Sequence, residues 1–214
     1  MNIKQPLFLV FALFMAIGSI QTYAQSIEVS ASYGYQFGTK LNYGRNYLKI
    51  KDSDQYHITA GYDMGYVGAE ISYTRMGSEL RMRDINYTNG EERLSDIAVD
   101  IIQVTGLKYF GNDNIKPFLG GGLGLAILSP SNENQDLTSR DLSSSTKFAF
   151  SAKGGVKMLL APRFGIVLQG HLFFPVEWGG LYVGVGPGGP STGVNVGTTT
   201  IIGALSGGFF LKLN

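Results

Sequence analysis

The sequence predicts an all-β protein, an eight-stranded antiparallel up-and-down transmembrane β-barrel preceded by a cleavable signal peptide. Three observations predict it. Apolar residues alternate with polar or small ones in about eight stretches, the period-two signature of strands with two unlike faces. The connections between those stretches alternate between short and long. The composition, with 30 glycines, 12 tyrosines and 13 phenylalanines but only 15% charged residues, suits neither a disordered chain nor a helical bundle.

Residues 1–24 read as a targeting segment: Lys4 gives the positive start, residues 6–20 the apolar run, and Thr22, Tyr23 and Ala24 a small-residue exit. The run of about 15 apolar residues is shorter than the roughly 20 a spanning helix needs. The mature domain is therefore expected at 25–214. Losing the segment removes Lys4 and no acid, leaving 16 basic and 16 acidic residues. A balanced charge offers no basic face for nucleic acid or an anionic surface, so no nucleic-acid partner is expected. The absence of cysteine removes disulfides and thiolate metal sites.

The first strand places Ile27, Val29, Ala31, Tyr33, Tyr35 and Phe37 on one face and Glu28, Ser30, Ser32, Gly34 and Gln36 on the other. The second sets Tyr56, Ile58, Ala60, Tyr62 and Met64 against His57, Thr59, Gly61 and Asp63, and the third Val67, Ala69, Ile71 and Tyr73 against Gly68, Glu70, Ser72 and Thr74. The fourth, residues 94–109, changes phase: Ile97, Val99 and Ile101 share one parity, Ile102 and Val104 the other, which predicts a bulge within 103–106. Pro117, Leu119, Leu123, Leu125 and Ile127 define the fifth strand, Phe148, Phe150, Ala152, Val156 and Met158 the sixth. Phe164, Ile166, Leu168, Leu172 and Phe174 define the seventh, and Ile201, Leu205, Phe209, Leu211 and Leu213 the eighth.

Residues 63–66, 110–115 and 160–163 are tight turns, whereas 38–54, 76–93, 128–146 and 175–197 are long and mostly polar, expected as hydrated loops. Sorting by length is what a membrane-threaded barrel requires, with short turns on the secretion side and long loops on the far side. Tyr33, Tyr35, Phe37, Tyr56 and Tyr73 lie near strand ends, as in an interfacial girdle. Closure satisfies every backbone group inside hydrocarbon, and eight strands leave a lumen that side chains fill.

The opening strand Ser26-Ile27-Glu28-Val29-Ser30-Ala31-Ser32-Tyr33-Gly34, the segment Ile115-Lys116-Pro117-Phe118-Leu119-Gly120-Gly121-Gly122-Leu123-Gly124, and Leu168-Gln169-Gly170-His171-Leu172 before a glycine-rich last loop carry a resemblance. The mature chain resembles the small outer-membrane β-barrel proteins of Gram-negative bacteria, the OmpA/OmpX-type porin-like superfamily, and especially its Bacteroidota branch. The resemblance implies a bacterial outer-membrane location, surrounding outer-membrane lipid and the assembly machinery as partners, and no assigned activity. One departure is the ending Leu211-Lys212-Leu213-Asn214, where such chains close on an aromatic residue.

Glu28, Glu70 and Asp100, with Lys108, Lys116, Lys153, Lys157, His171 and Lys212, are expected to form a polar lumen network that plugs the barrel by ion pairing. Glu28 and Lys212 should be neighbours at the periplasmic rim. Neither histidine sits in a metal-binding or triad spacing, so no metal, cofactor or enzymatic activity is expected. The sequence 184–189 matches GxGxxG, but Pro187 and Pro190 exclude the helix that motif requires and favour a strand pair about a Pro-Gly turn. That segment, with Trp178 and Tyr182, offers the most apolar extracellular surface for an unidentified extracellular ligand. Asp52-Ser53-Asp54 reads as solvated turn acids rather than a calcium loop. The expected role is structural or surface-interactive; a narrow channel for small solutes and a lipid-acting enzyme are the alternatives.

Overall fold

A computed structural model describes residues 26–43, 45–83, 90–111, 114–132, 134, 144–176, 181–186, 189–194 and 201–213. The signal peptide expected at 1–24 lies outside them. Eight long strands form the wall: β1 (Ser26–Gln36), β4 (Ser53–Asp63), β5 (Val67–Arg83), β6 (Glu92–Tyr109), β7 (Ile115–Ser131), β8 (Ser145–Ala161), β9 (Phe164–Val176) and β12 (Ile202–Lys212). Each pairs antiparallel with the next, and β1 pairs with β12, so the wall closes on itself. Among the described residues no helix is long and apolar enough to cross a membrane. Crossing falls to the strands, whose closed ladder leaves no backbone donor or acceptor facing hydrocarbon.

Three tight turns join strands at one end. Gly65 and Gly111 adopt φ of 90° and 85°, a region open to glycine at little cost, and the Gly65 amide donates to Asp63 Oδ1 at 2.7 Å. At the other end the sheet grows outward. A hairpin of β2 (Thr39–Tyr43) and β3 (Asn46–Ile50) pairs through β3 with the distal half of β5. A second hairpin joins β10 (Leu181–Gly186) to β11 (Gly189–Val194), Gly186 opposite Gly189, as the Pro-Gly turn predicts. Segments expected to be loops are therefore partly strand: β5 and β6 stay paired as far as Met82 opposite Glu92, and β7 runs to Ser131.

The alternation holds along β1, β4, β5, β9 and β12, with Tyr33, Ile58, Ile71, Leu168, Leu205 and Phe209 exposed outward and Glu28, His57, Glu70, Gln169 and Ser206 buried inward. The bulge expected within 103–106 is absent. Strand β6 pairs without a shift from Asp96 to Tyr109 against β7, and its one irregularity, at Leu80/Arg81 of β5, lies near its outer end. What changes is the solvent, not the phase. Low on the wall Ile102 and Val104 face outward and Gln103 and Thr105 inward. Higher up Ile97, Val99 and Ile101 turn inward, packing with Met76, Leu80, Leu94, Phe173 and Ile202 into an apolar core inside the outer mouth. Where the outer face meets water instead of acyl chains, the apolar side must reverse.

Candidate functional site

The lumen is stacked in layers, and each layer follows from inward parity. Beneath the apolar outer core lies a polar belt. His57 from β4 and His171 from β9 meet edge to face with ring centroids 4.5 Å apart, and the hydroxyl of Thr74 lies 2.7 Å from His57 Nδ1. Gln169 donates to Ser32 at 3.1 Å, and Ser30 and Thr59 share a 2.6 Å hydrogen bond. Beside them Lys153 donates to Glu70 at 2.5 Å, both side chains about 5% exposed or less.

Nearer the turns sit the remaining charges. Lys157 donates to Glu28 at 2.5 Å and to the Tyr109 hydroxyl at 3.1 Å; Lys212 lies 3.7 Å from the other oxygen of Glu28; Lys116 donates to Asp63 at 2.9 Å. Three carboxylates and four ammonium groups thus make four ion pairs among the described residues. Aromatic faces cover the cations: Lys157 lies 5.1 Å from the Tyr109 ring centre and Lys153 5.4 Å from that of Phe118. Tyr109, Phe118, Val167, Leu107 and Phe210 pack into an apolar floor. Paired, hydrogen-bonded and ring-covered charges are the form in which ionised groups persist away from water.

The structure brings together Glu28, Glu70, Lys116, Lys153, Lys157, His171 and Lys212, and Glu28 stands opposite Lys212 in the closing ladder as expected. Asp100 and Lys108 are corrections. Both have even numbers on β6, the parity of Ile102 and Val104, so both face outward; the phase change in the sequence misassigned them. Asp100 accepts from Tyr73 at 2.5 Å and from Arg75 at 3.1 Å on the outer wall. The Lys108 ammonium lies 5.7 Å from the Phe110 ring centre at the turn end. His57, Asp63 and Gln103, buried in the lumen, were missing from the expected network; alternation with Ile58 and Tyr62 marks His57 and Asp63 as inward, whereas Gln103 falls where apolar residues occupy both parities. Trp178 lies outside the described residues, and Tyr182 is placed only by the β10 backbone, opposite Gly193. Asp52 is a turn acid, as expected, accepting from the Gly38 amide at 2.6 Å and the Tyr35 hydroxyl at 2.9 Å, whereas Ser53 and Asp54 open β4.

On the outer wall girdle tyrosines direct their hydroxyls to carboxylates, Tyr35 to Asp52 and Tyr73 to Asp100. Rings at an interface with polar tips toward water are the expected state of this residue. A closed eight-stranded wall, apolar outside at mid-height, girdled by tyrosine and filled with paired charge, defines a small transmembrane β-barrel.

Residues 10–170 match the family of the outer membrane protein beta-barrel domain, and the chain belongs to it. It is a protein of the bacterial outer membrane. Its fold is similar to that of Neisserial surface protein A (TM-score 0.57, 16% identity, 89% of this chain and 100% of that chain covered). It is also similar to outer membrane protein OprG from Pseudomonas aeruginosa (TM-score 0.60, 12% identity, 89% and 97% covered). No curated protein matches the sequence.

Proposed function

We propose that this outer-membrane barrel is a closed, non-catalytic body whose role is carried by its exterior, as a structural or surface-interaction protein, rather than by conduction through its lumen. The observation that carries this reading is the double seal: an apolar core at the outer mouth and an apolar floor at the turn end, with the buried Lys153–Glu70 pair between them. An ion entering this path would have to shed water twice against apolar side chains. The absence of catalysis is supported by the contacts of the histidines, which face each other and Thr74 rather than an aligned nucleophile. On this reading the partners are the lipid around the wall, the assembly machinery during biogenesis and a ligand of the extracellular hairpins. Planar-bilayer recording of the purified barrel tests it. The expected result is a silent bilayer; a steady ohmic current that changes on Lys153→Met would overturn the reading, as would turnover of phospholipid or glycolipid abolished by His171→Ala.

A further inference from the structure

The balance of charge over the whole mature chain hides a local imbalance. Residues 39–51 carry Lys40, Arg45, Lys49 and Lys51 and no acid. They form the hairpin β2–β3, whose register with β5 places Lys40 opposite Lys49 and Lys49 opposite Arg81, with Tyr47 opposite Arg83 one step farther out. Partners in an antiparallel ladder share a face. Ile50 and Met82, on the alternate parity, pack against the apolar core of the outer mouth, so the cations face outward. Like charges directly opposite one another destabilise a sheet, and here three stand in line across three strands. Glu79 and Glu91 meet Arg81 at 2.9 and 3.6 Å, and Glu79 meets Lys51 at 3.4 Å. Among the described residues no carboxylate makes an ion pair with Lys40, Lys49 or Arg83. Asp52, at the root of the hairpin, is turned to the Gly38 amide and the Tyr35 hydroxyl.

We propose that this three-strand face binds an acidic polysaccharide, laid across the strands so that its anionic groups meet the row of cations. The assignment deepens the surface-interaction role and rests on it. Neighbouring strands lie about 4.8 Å apart, so the row presents positive charge at a spacing comparable with the advance of one sugar ring along a chain. An anion bound there offsets the repulsion between Lys40, Lys49 and Arg81, and the exposed Arg83 fork suits an oxyanion. The Lys40 ammonium lies 3.7 Å from the Tyr47 ring centre. That contact holds one cation in place and covers the ring, so the bases of a single-stranded nucleic acid lose it as a stacking platform. On β5, Arg81 stands well beyond the girdle residue Tyr73, roughly 27 Å farther along a tilted strand, which carries the row clear of the lipid headgroups.

Biolayer interferometry of the full barrel, held in phosphatidylcholine nanodiscs, against immobilised dextran sulfate tests the face. Retention that weakens as salt rises is expected, with none on neutral dextran. Lys40→Gln with Lys49→Gln should weaken binding about tenfold. Lys108→Gln with Arg163→Gln, an equal loss of charge at the turn end, should leave it unchanged. Hydrogen exchange of the unaltered barrel gives a second readout: β2 and β3 should exchange more slowly with dextran sulfate bound, while β9 is unaffected. Heat-modifiable gel migration verifies that each variant is folded. Equal retention of the hairpin variant and the parent, an equal loss in the turn-end variant, or unchanged exchange at the hairpin would overturn the proposal. So would tighter binding of oligothymidylate than of dextran sulfate, or capture by phosphatidylglycerol vesicles without capture by dextran sulfate. The lumen takes no part in this contact, so polysaccharide binding and bilayer conductance fail independently.

Discussion

Glu70 and Lys153 lie 83 positions apart in the chain and share a buried hydrogen bond across the lumen. Removing one partner strands the other charge away from water, so Glu70→Ala or Lys153→Ala should each destabilise the barrel by about 3–5 kcal/mol. The paired change Glu70→Leu with Lys153→Met should recover most of that, and urea unfolding in lipid vesicles followed by gel shift measures both. The wall glycines, inward Gly124 and outward Gly77, carry a second residue-scale consequence. A Cβ on Gly124 would stand 2.7 Å from the Gln103 Cα and collide with the Ile102 carbonyl, whereas one on Gly77 meets nothing within 4 Å. Gly124→Ala should therefore cost about 1–3 kcal/mol and Gly77→Ala within about 0.5 kcal/mol of nothing, by the same assay. Most inward charges were legible because parity alone assigns a face. Asp100 and Lys108 were not, because Ile101 and Ile102 are adjacent, and a chain in which apolar residues occupy both parities gives no sign of which one faces lipid.

The outer hairpin β2–β3 is held to β5 by the backbone ladder of β3, from Tyr47 opposite Arg83 to Ile50 opposite Leu80, and carboxylates brace its surroundings, Glu79 of β5 accepting from Lys51 at 3.4 Å. The Arg81 side chain donates to Glu79, at 2.9 and 3.0 Å, and the Tyr47 hydroxyl donates to Glu91 at 2.7 Å. On β6, Asp96 accepts from Asn132 and pairs with Arg93. The donated bonds hold the carboxyls of Asp52, Glu79, Glu91 and Asp96 below their ordinary range, led respectively by the Gly38 amide, Arg81, Tyr47 and Asn132. Groups shifted downward stabilise the folded form above the ordinary carboxylate range, and that support is lost as pH falls through it. Hydrogen exchange should show β2, β3 and the distal halves of β5 and β6 opening on acidification from pH 6 to below about 4, while the wall segments of β4 and β9 stay protected. Unchanged protection at the hairpin would contradict this. The sequence hid these extensions for a physical reason. Above the girdle the outside is water, so Glu79 and Arg81 point out and Met76 and Leu80 point in, which reverses the membrane pattern and resembles a polar loop interrupted by stray apolar residues.

At the scale of the molecule, closure follows from the register. Nine residue pairs join β1 to β12, from Glu28 opposite Lys212 to Gln36 opposite Ala204, and eight strands leave a lumen that side chains can fill. Strand number, turn placement and the outward stripe were legible from alternation and loop length together. The filling was legible only in part: the apolar caps above and below the charged layers come from residues tens to a hundred positions apart, such as Met76 with Phe173 and Tyr109 with Phe210, whose meeting only the closed wall determines. A chain without cysteine accepts single labels cleanly. Nitroxides placed one at a time along β5 from residue 67 to 77, in lipid vesicles, should alternate. Labels at 69, 71 and 73 should be relaxed by oxygen dissolved in the bilayer; those at 68, 70, 72 and 74 should be shielded from it. Uniform access of a water-soluble nickel reagent to both sets would contradict a lipid-facing wall around a filled lumen.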